Sequence, residues 1–314
     1  MQTKDFLSIS DLSATDLNLL LREAAELKAD GEWNTTLSGK TLALVFEKPS
    51  LRTRISFETA MKQLGGEVIY LSPAEVGLGQ REPVRDVART LSRYVDAVAA
   101  RVFKHESLEE LSEYADIPVI NALCDREHPC QALADLLTIS EHKGYLKGLT
   151  LAFVGDGNNV AASLALACAL SGMNFRIASP NGYELPRSIV EQAQTISESS
   201  GAEIESISDP MLAVRGVDIV YTDTWTSMGQ EAENTKRIKA FTGYQVDSAL
   251  MSLAAGDAVF MHCLPAHRGQ EVSEEVIESA ASVIFNQAEN RLHAQKAVLA
   301  QLLGGAGILP GCRL

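Results

Sequence analysis

Apolar residues along this chain fall into two alternating rhythms. Thr41–Phe46, Val68–Leu71, Ala97–Ala100, Leu149–Val154, Phe175–Ala178, Val217–Tyr221, Ala258–Met261 and Val283–Phe285 are short runs, apolar at nearly every position. Runs of this kind, bounded by Gly, Asp or Pro, predict strands of a parallel sheet covered on both faces. Between them, apolar positions recur every three or four residues. That spacing predicts helices over Asp11–Lys28, Arg52–Leu64, Val84–Tyr94, Leu108–Tyr114, Pro129–His142, Val160–Ser171, Arg187–Ser199, Glu274–Ser279 and Glu289–Leu303. Strand and helix alternate from end to end, so the expected class is α/β, with doubly wound parallel sheets.

Two stretches interrupt the rhythm. His142–Gly148 is polar and contains two glycines, and it separates a long helix from a new strand. With 314 residues, it divides the chain into two α/β domains, 1–142 and 143–288, followed by a C-terminal helix over 289–314. Thr222–Val246 is long, polar and Gly-dotted, and is read as a functional loop.

Composition narrows the classes. The chain is 46% hydrophobic and 22% charged, enough to build a core and too apolar for large-scale disorder. Asp plus Glu is 41 against 27 Lys plus Arg, a net charge of −14, which argues against nucleic acid and anionic membrane as partners. The five cysteines are scattered, odd in number and contain no C-x-x-C pair, so reduced thiols in a cytoplasmic setting are expected. The N-terminal residues open no basic, apolar leader, and the longest mainly apolar stretch, Leu164–Leu170, is far short of the roughly 20 residues of a membrane span.

Candidate chemistry gathers just past the strand ends, where α/β folds place ligands. Ser50 is a natural N-cap for the helix from Arg52, and Arg52 and Arg54 then stand in the first turn, at the positive end of the helix dipole. A bound anion would compensate them, with the Ser50 and Thr53 hydroxyls, free backbone N–H groups and Arg52 as a phosphate cradle. His128-Pro129-Cys130-Gln131 opens another helix and offers an imidazole and an amide. Cys124, His128 and Cys130 match no usual zinc spacing, so no metal is expected. Gly155-Asp156-Gly157-Asn158-Asn159 lacks the third glycine of a dinucleotide turn; its asparagines suit a small polar ligand instead. Asp223, ending a strand, can hold an ammonium group or make an Asx turn. Cys263 beside His262 is either inert packing or a reactive Cys–His pair. Arg291 is read in the first turn of the last helix.

Four motifs, in order, resemble those of the aspartate/ornithine carbamoyltransferase family across essentially the whole chain. They are F-E-K-P-S-L-R-T-R-I-S-F-E (Phe46–Glu58), H-P-C-Q-A-L-A-D (His128–Asp135), D-T-W-T-S-M-G (Asp223–Gly229) and H-C-L-P-A-H-R-G (His262–Gly269). The last two resemble the ornithine branch. The resemblance implies a carbamoyl-phosphate site of Ser50, the backbone at Leu51, Arg52, Thr53, Arg101, His128, Gln131, Cys263, the carbonyl of Leu264 and Arg291. It implies that Asn159, Asp223, Ser227 and Met228 hold L-ornithine, that Leu264–Pro265 is cis, and that the last helix returns to the first domain. It further implies a cofactor-free transferase, assembled as a homotrimer, making L-citrulline and phosphate, with Cys263, Asp223, Arg101 and His128 as the catalytic set. The segment Thr226–Val246 would close over ornithine. Leu51 stands where the family often has Thr, and Gly77 where some members have Gln. Other readings are a sibling enzyme for N-acetylornithine or putrescine, a covalent Cys263 intermediate, a nicotinamide oxidoreductase and a non-catalytic scaffold.

Overall fold

The structure, a computed structural model, describes residues 3–31 and 34–304. Cys312 and the rest of 305–314 lie outside the described residues. The described chain forms two compact units. One holds the residues up to Leu137 together with those from Asn290 onward; the other is Thr138–Glu289. Both breaks fall inside helices, Pro129–Lys143 and Ile284–Leu303.

The first unit is built on a four-stranded parallel sheet. Its strands are β1 (Thr41–Phe46), β2 (Glu67–Leu71), β3 (Ala97–Arg101) and β4 (Val119–Leu123), in the order β2-β1-β3-β4. All of β3, and all of β1 beyond Thr41, is buried, as the two-sided apolar runs require. The pattern did not foresee β4, because Asn121 splits its apolar run. That amide is buried and donates to the Leu7 carbonyl at 2.8 Å, while Phe6 bridges Ile120 and covers the strand's outer edge. A core of Val45, Val98, Ala100, Val87, Leu91, Leu108 and Leu111 packs on one side of the sheet. Arg101 closes β3 opposite Phe46, and the pairing of β3 with β4 slips at Ala100–Arg101.

The second unit has a five-stranded parallel sheet. Its strands are β5 (Thr150–Val154), β6 (Asn174–Ala178), β7 (Ile204–Ile207), β8 (Ile219–Thr222) and β9 (Val259–His262), in the order β7-β6-β5-β8-β9. The edge strand β7 reads I-E-S-I, with too few apolar residues to announce itself. Val283–Phe285 is not a strand. Val283 donates one hydrogen bond to the Phe260 carbonyl, and the helix Ile284–Leu303 begins at once, with Phe285 exposed. Arg291 therefore sits two turns into that helix rather than in its first turn. Thr222–Val246 is also more ordered than its composition implied. It carries the helix Asn234–Ala240, and Trp225 stacks on Phe241 at 5.5 Å.

The C-terminal helix packs back on the first unit. Lys28 donates to Asn290 at 2.8 Å, Gln301 bonds Glu23, and Ala297 and Val298 are fully buried.

Gly157 marks the tightest backbone approach in the second unit. A Cβ there would lie 2.3 Å from the Leu185 nitrogen and 2.4 Å from the Glu184 carbonyl carbon, so main chain would have to move. Gly157→Ala is expected to cost about 1–3 kcal/mol, the range for overpacking. Thermal unfolding measures this; an unchanged midpoint would contradict the packing described.

Candidate active site

The first unit assembles a cationic pocket from four separate segments. The helix Leu51–Gln63 starts directly beyond β1, and the Ser50 Oγ accepts the Thr53 N–H at 3.2 Å, the predicted cap. Its hydroxyl proton is left for another acceptor. No acidic residue stands in the first turn, so the protein supplies no counter-charge to the helix dipole there. The Leu51 side chain is 69% exposed and brings only its backbone to this end. Arg54 does not join, being paired with Glu58 at 2.7 Å and stacked over Tyr70 at 3.8 Å.

Thr53 is fully buried, and its Oγ1 accepts a 2.7 Å hydrogen bond from Arg291 Nη2, from 238 residues away. His128 and Gln131 open the helix Pro129–Lys143 beyond β4, and both are buried. Burial first, then the guanidinium groups of Arg291, Arg101 and Arg52, hold the His128 imidazole well below its ordinary pKa. His128 is therefore neutral at neutral pH. The Gln131 Nε2 donates to Asp135 Oδ1 at 2.8 Å, which fixes the orientation of the amide. The buried Oε1 then makes no hydrogen bond among the described residues. The pocket thus presents three guanidinium groups, a neutral imidazole and an unused amide carbonyl. Those groups complement an anion carrying an N–H donor.

One neighbour of this pocket was not singled out from sequence. Lys48 is buried with its Nζ 4.6 Å from the centre of the Phe103 ring, and burial and Arg101 lower its pKa. Only its place between two motif residues could have drawn attention to it. The backbone explains Gly77: its φ is +52°, where a Cβ would meet Arg81 Cβ at 3.0 Å, so a Gln there would be strained. Cys124 turns to His105 at 3.3 Å and Cys130 to the Asn121 carbonyl at 3.5 Å. Burial pushes these thiols to about 11 and about 12. These contacts are to groups other than His128.

In the second unit, Asp223 is the centre. Directly past β8, its Oδ1 accepts from the Cys263 thiol at 3.1 Å and its Oδ2 from Asn158 Nδ2 at 2.8 Å. Asn158, one of the two asparagines of the Gly155–Asn159 motif, is also the cap of the helix Asn159–Ser171, accepting the Val160 and Ala161 N–H groups. Asn159 is the first residue of that helix. The Ser227 N–H donates to Gln230 Oε1 at 3.2 Å, and Met228 is exposed. Leu264–Pro265 is cis.

The Cys–His pair does not form. His262 Nδ1 accepts the Leu264 N–H at 2.9 Å, and its Nε2 faces the buried Glu271 at 3.2 Å. Both ring nitrogens are thus occupied, and the partner of Cys263 is a carboxylate. Asp223, His262 and Cys263 offer ligand atoms within 4.8 Å of one another, a grouping different from the Cys124, His128 and Cys130 set weighed from sequence.

Of the residues expected from sequence, Ser50, Leu51, Arg52, Thr53, Arg101, His128, Gln131 and Arg291 belong to the first unit. Asn159, Asp223, Ser227, Met228, Cys263 and Leu264 belong to the second. The depressed pKa of His128 has a consequence for stability. The unfolded chain takes up a proton below about 6.5 that the folded site refuses, so His128 subtracts stability as pH falls through that value. In histidine-labelled protein, the His128 ring resonances should not titrate between about pH 7.5 and 6; a shift centred near 6.5 would overturn this electrostatic picture.

Comparison with known proteins also divides the chain in two, though the second match runs on through most of the last helix. The carbamoyl-P binding domain model of the aspartate/ornithine carbamoyltransferases matches residues 4–141, and their Asp/Orn binding domain model matches residues 147–302. The ornithine carbamoyltransferase of Anoxybacillus flavithermus is 54% identical over 306 residues, covering 96% of this chain and 98% of its own. That of Gloeobacter violaceus is 55% identical over 301 residues, with 96% of each chain covered. The solved ornithine carbamoyltransferase of Pyrococcus furiosus is 49% identical, covers 96% of this chain and 98% of its own, and superimposes with a TM-score of 0.94. With both domain models matched and relatives this close along nearly its whole length, the chain belongs to the aspartate/ornithine carbamoyltransferase family.

Proposed function

We infer that this protein transfers the carbamoyl group of carbamoyl phosphate to the side-chain amine of L-ornithine, giving L-citrulline and phosphate. The observation that carries the reading is the buried pocket around His128, where three arginines meet a neutral imidazole and an unused amide oxygen. Carbamoyl phosphate has the matching parts: a phosphate for the guanidinium groups and helix start, a carbonyl oxygen for Arg101 and His128, and an NH2 for Gln131. In the second unit, a buried carboxylate favours an amine acceptor and repels a dicarboxylate such as L-aspartate.

The steps follow from these groups. The ornithine side-chain amine has a pKa near that of lysine, about 10.4, and is protonated at neutral pH, so it must lose a proton before it can attack. Asp223, held by Cys263 and Asn158, orients the ammonium group and helps this first proton leave to water. The neutral amine adds to the carbamoyl carbon, and Arg101, His128 and Thr53 stabilise the oxyanion that develops. The C–O bond to phosphate then breaks. The leaving phosphate is held by Ser50, the Leu51 N–H, Arg52 and Thr53, and accepts the amine's proton. Arg291 braces Thr53, while Cys263 and the Leu264 carbonyl contact the carbamoyl group. Asn159, Ser227 and Met228 grip the amino-acid head. No cofactor enters these steps.

The assembly proposed is a homotrimer. Exposed apolar side chains on the first unit, Leu51, Ile55 and Ile69, provide surface for contact with a second copy. A cytoplasmic location is proposed as well, supported by four free thiols among the described residues. No described helix is long and apolar enough to cross a membrane.

Purified protein should form citrulline from carbamoyl phosphate with L-ornithine, and not turn over N-acetylornithine, putrescine or L-aspartate at comparable rates. Turnover of L-aspartate instead would overturn the assignment. Arg101→Gln should lower kcat by about 10²-fold or more, the scale of one lost oxyanion donor.

A further inference from the structure

The four residues assigned to the acceptor's grip lie on two separate segments. Asn159 opens the helix after β5, whereas Asp223, Ser227 and Met228 follow β8. Two ties join those segments. One is Asn158 to Asp223. The other runs through Arg237, a residue with no role in the transfer steps. Its Nη1 donates both to Asp156 Oδ2 at 2.8 Å and to the Trp225 carbonyl at 3.0 Å. Asp156 lies two residues before Asn158, and Trp225 two residues before Ser227. The ties therefore hold both ends of the strip Asp223–Trp225 against one turn, the turn that ends at Asn158.

We propose that Arg237, with Asp156 as its buried counter-ion, is a positioning residue that sets the Trp225–Met228 strip and thereby the affinity for the α-amino-acid head of the acceptor. The inference rests on the function proposed above and names what tunes its acceptor site.

The burial argues for a constraint rather than a surface ion pair. Arg237 and Asp156 are 6% and 8% exposed. The guanidinium also reaches Glu233 at 3.2 Å and lies 4.9 Å from the centre of the Tyr183 ring. Tyr183 and Trp225 both pack on Phe241. Within that cluster the Trp225 Nε1 and the Tyr183 hydroxyl are buried without a hydrogen bond among the described residues. At Trp225 the polar tie is the Arg237 bond to its carbonyl, while Thr226 bonds Asn234 at 3.0 Å and the Ser227 N–H donates to Gln230 at 3.2 Å. Burial raises Asp156 to about 6, with Asp223 and Glu233 adding to the rise and Arg237 opposing it. Nη1 serves the carboxylate and the carbonyl while Nε reaches Glu233, a set of directions that a lysine ammonium reproduces only in part.

The test is steady-state kinetics of the full chain carrying Asp156→Asn, Arg237→Lys or Arg237→Gln. KM for L-ornithine should rise about tenfold or more, the scale of one lost charge-assisted bond, while KM for carbamoyl phosphate stays within about twofold. Inhibition by L-norvaline, the same amino-acid head without the reacting amine, should weaken by the same factor. Arg237→Lys should recover part of the loss seen with Arg237→Gln. An unchanged L-ornithine KM, or both KM values moving together with kcat, would overturn the proposal. Should Arg237→Gln fail to fold, Asp156→Asn decides, since it keeps the shape and removes only the charge. Failure of the unmodified chain to turn over L-ornithine would sink the function itself; normal turnover with unchanged variants would sink only this inference.

Discussion

Positive charge gathered around one buried imidazole is the constraint on which the first unit turns. Arg52, Arg101 and Arg291 converge on an imidazole that they, with burial, keep unprotonated. The adjoining helix start has no acid in its first turn. Such an arrangement costs stability in the empty protein, because like charges are gathered where water is scarce. It becomes favourable when an anion enters. The groups need no reorganisation at that moment, which is the condition for strong electrostatic catalysis.

The fold supplies this pocket from pieces that are far apart along the chain. Strand ends β1, β3 and β4 deliver the Ser50 cap, Arg101 and the His128 turn to one edge of the sheet. The last helix then returns to add Arg291, which bonds Thr53 directly. Anchors such as Lys28 to Asn290 and the buried Ala297 and Val298 act at a distance from the chemistry, but they set where Arg291 stands. A truncation of that helix would remove a cation from the pocket as well as apolar packing.

The second unit follows the opposite electrostatic logic. Its functional carboxylate is not left bare: Asp223 is held by a thiol on one oxygen and an amide on the other. Two neutral donors, one on each oxygen, fix the direction of the carboxylate. The neighbouring His262 spends one ring nitrogen on Glu271 and the other on the Leu264 N–H. Proximity along the chain had suggested a Cys–His pair; the ring orientation separates them.

Much of this was legible in the sequence because it depends on local periodicity and local chemistry. Two-sided apolar runs announced β1, β3 and β5, and Ser50 and Pro129 announced helix starts whose caps need only neighbouring residues. The four motifs carried the family. Where local signals were weak or misleading, the reading failed: β4 was hidden by Asn121, β7 was too polar, and the apolar Val283–Phe285 joined a helix. Arg237 and Asp156 gave no local sign at all, since 81 residues separate them. Sequence by itself thus determined the α/β alternation, the strand-end placement of the motifs and the kind of ligand they suit. Only tertiary structure decided which of those groups meet, which way His262 and Gln131 face, and which arginines are buried. Those outcomes depend on contacts between distant segments and on exclusion of water, and neither is encoded within any short window of the chain.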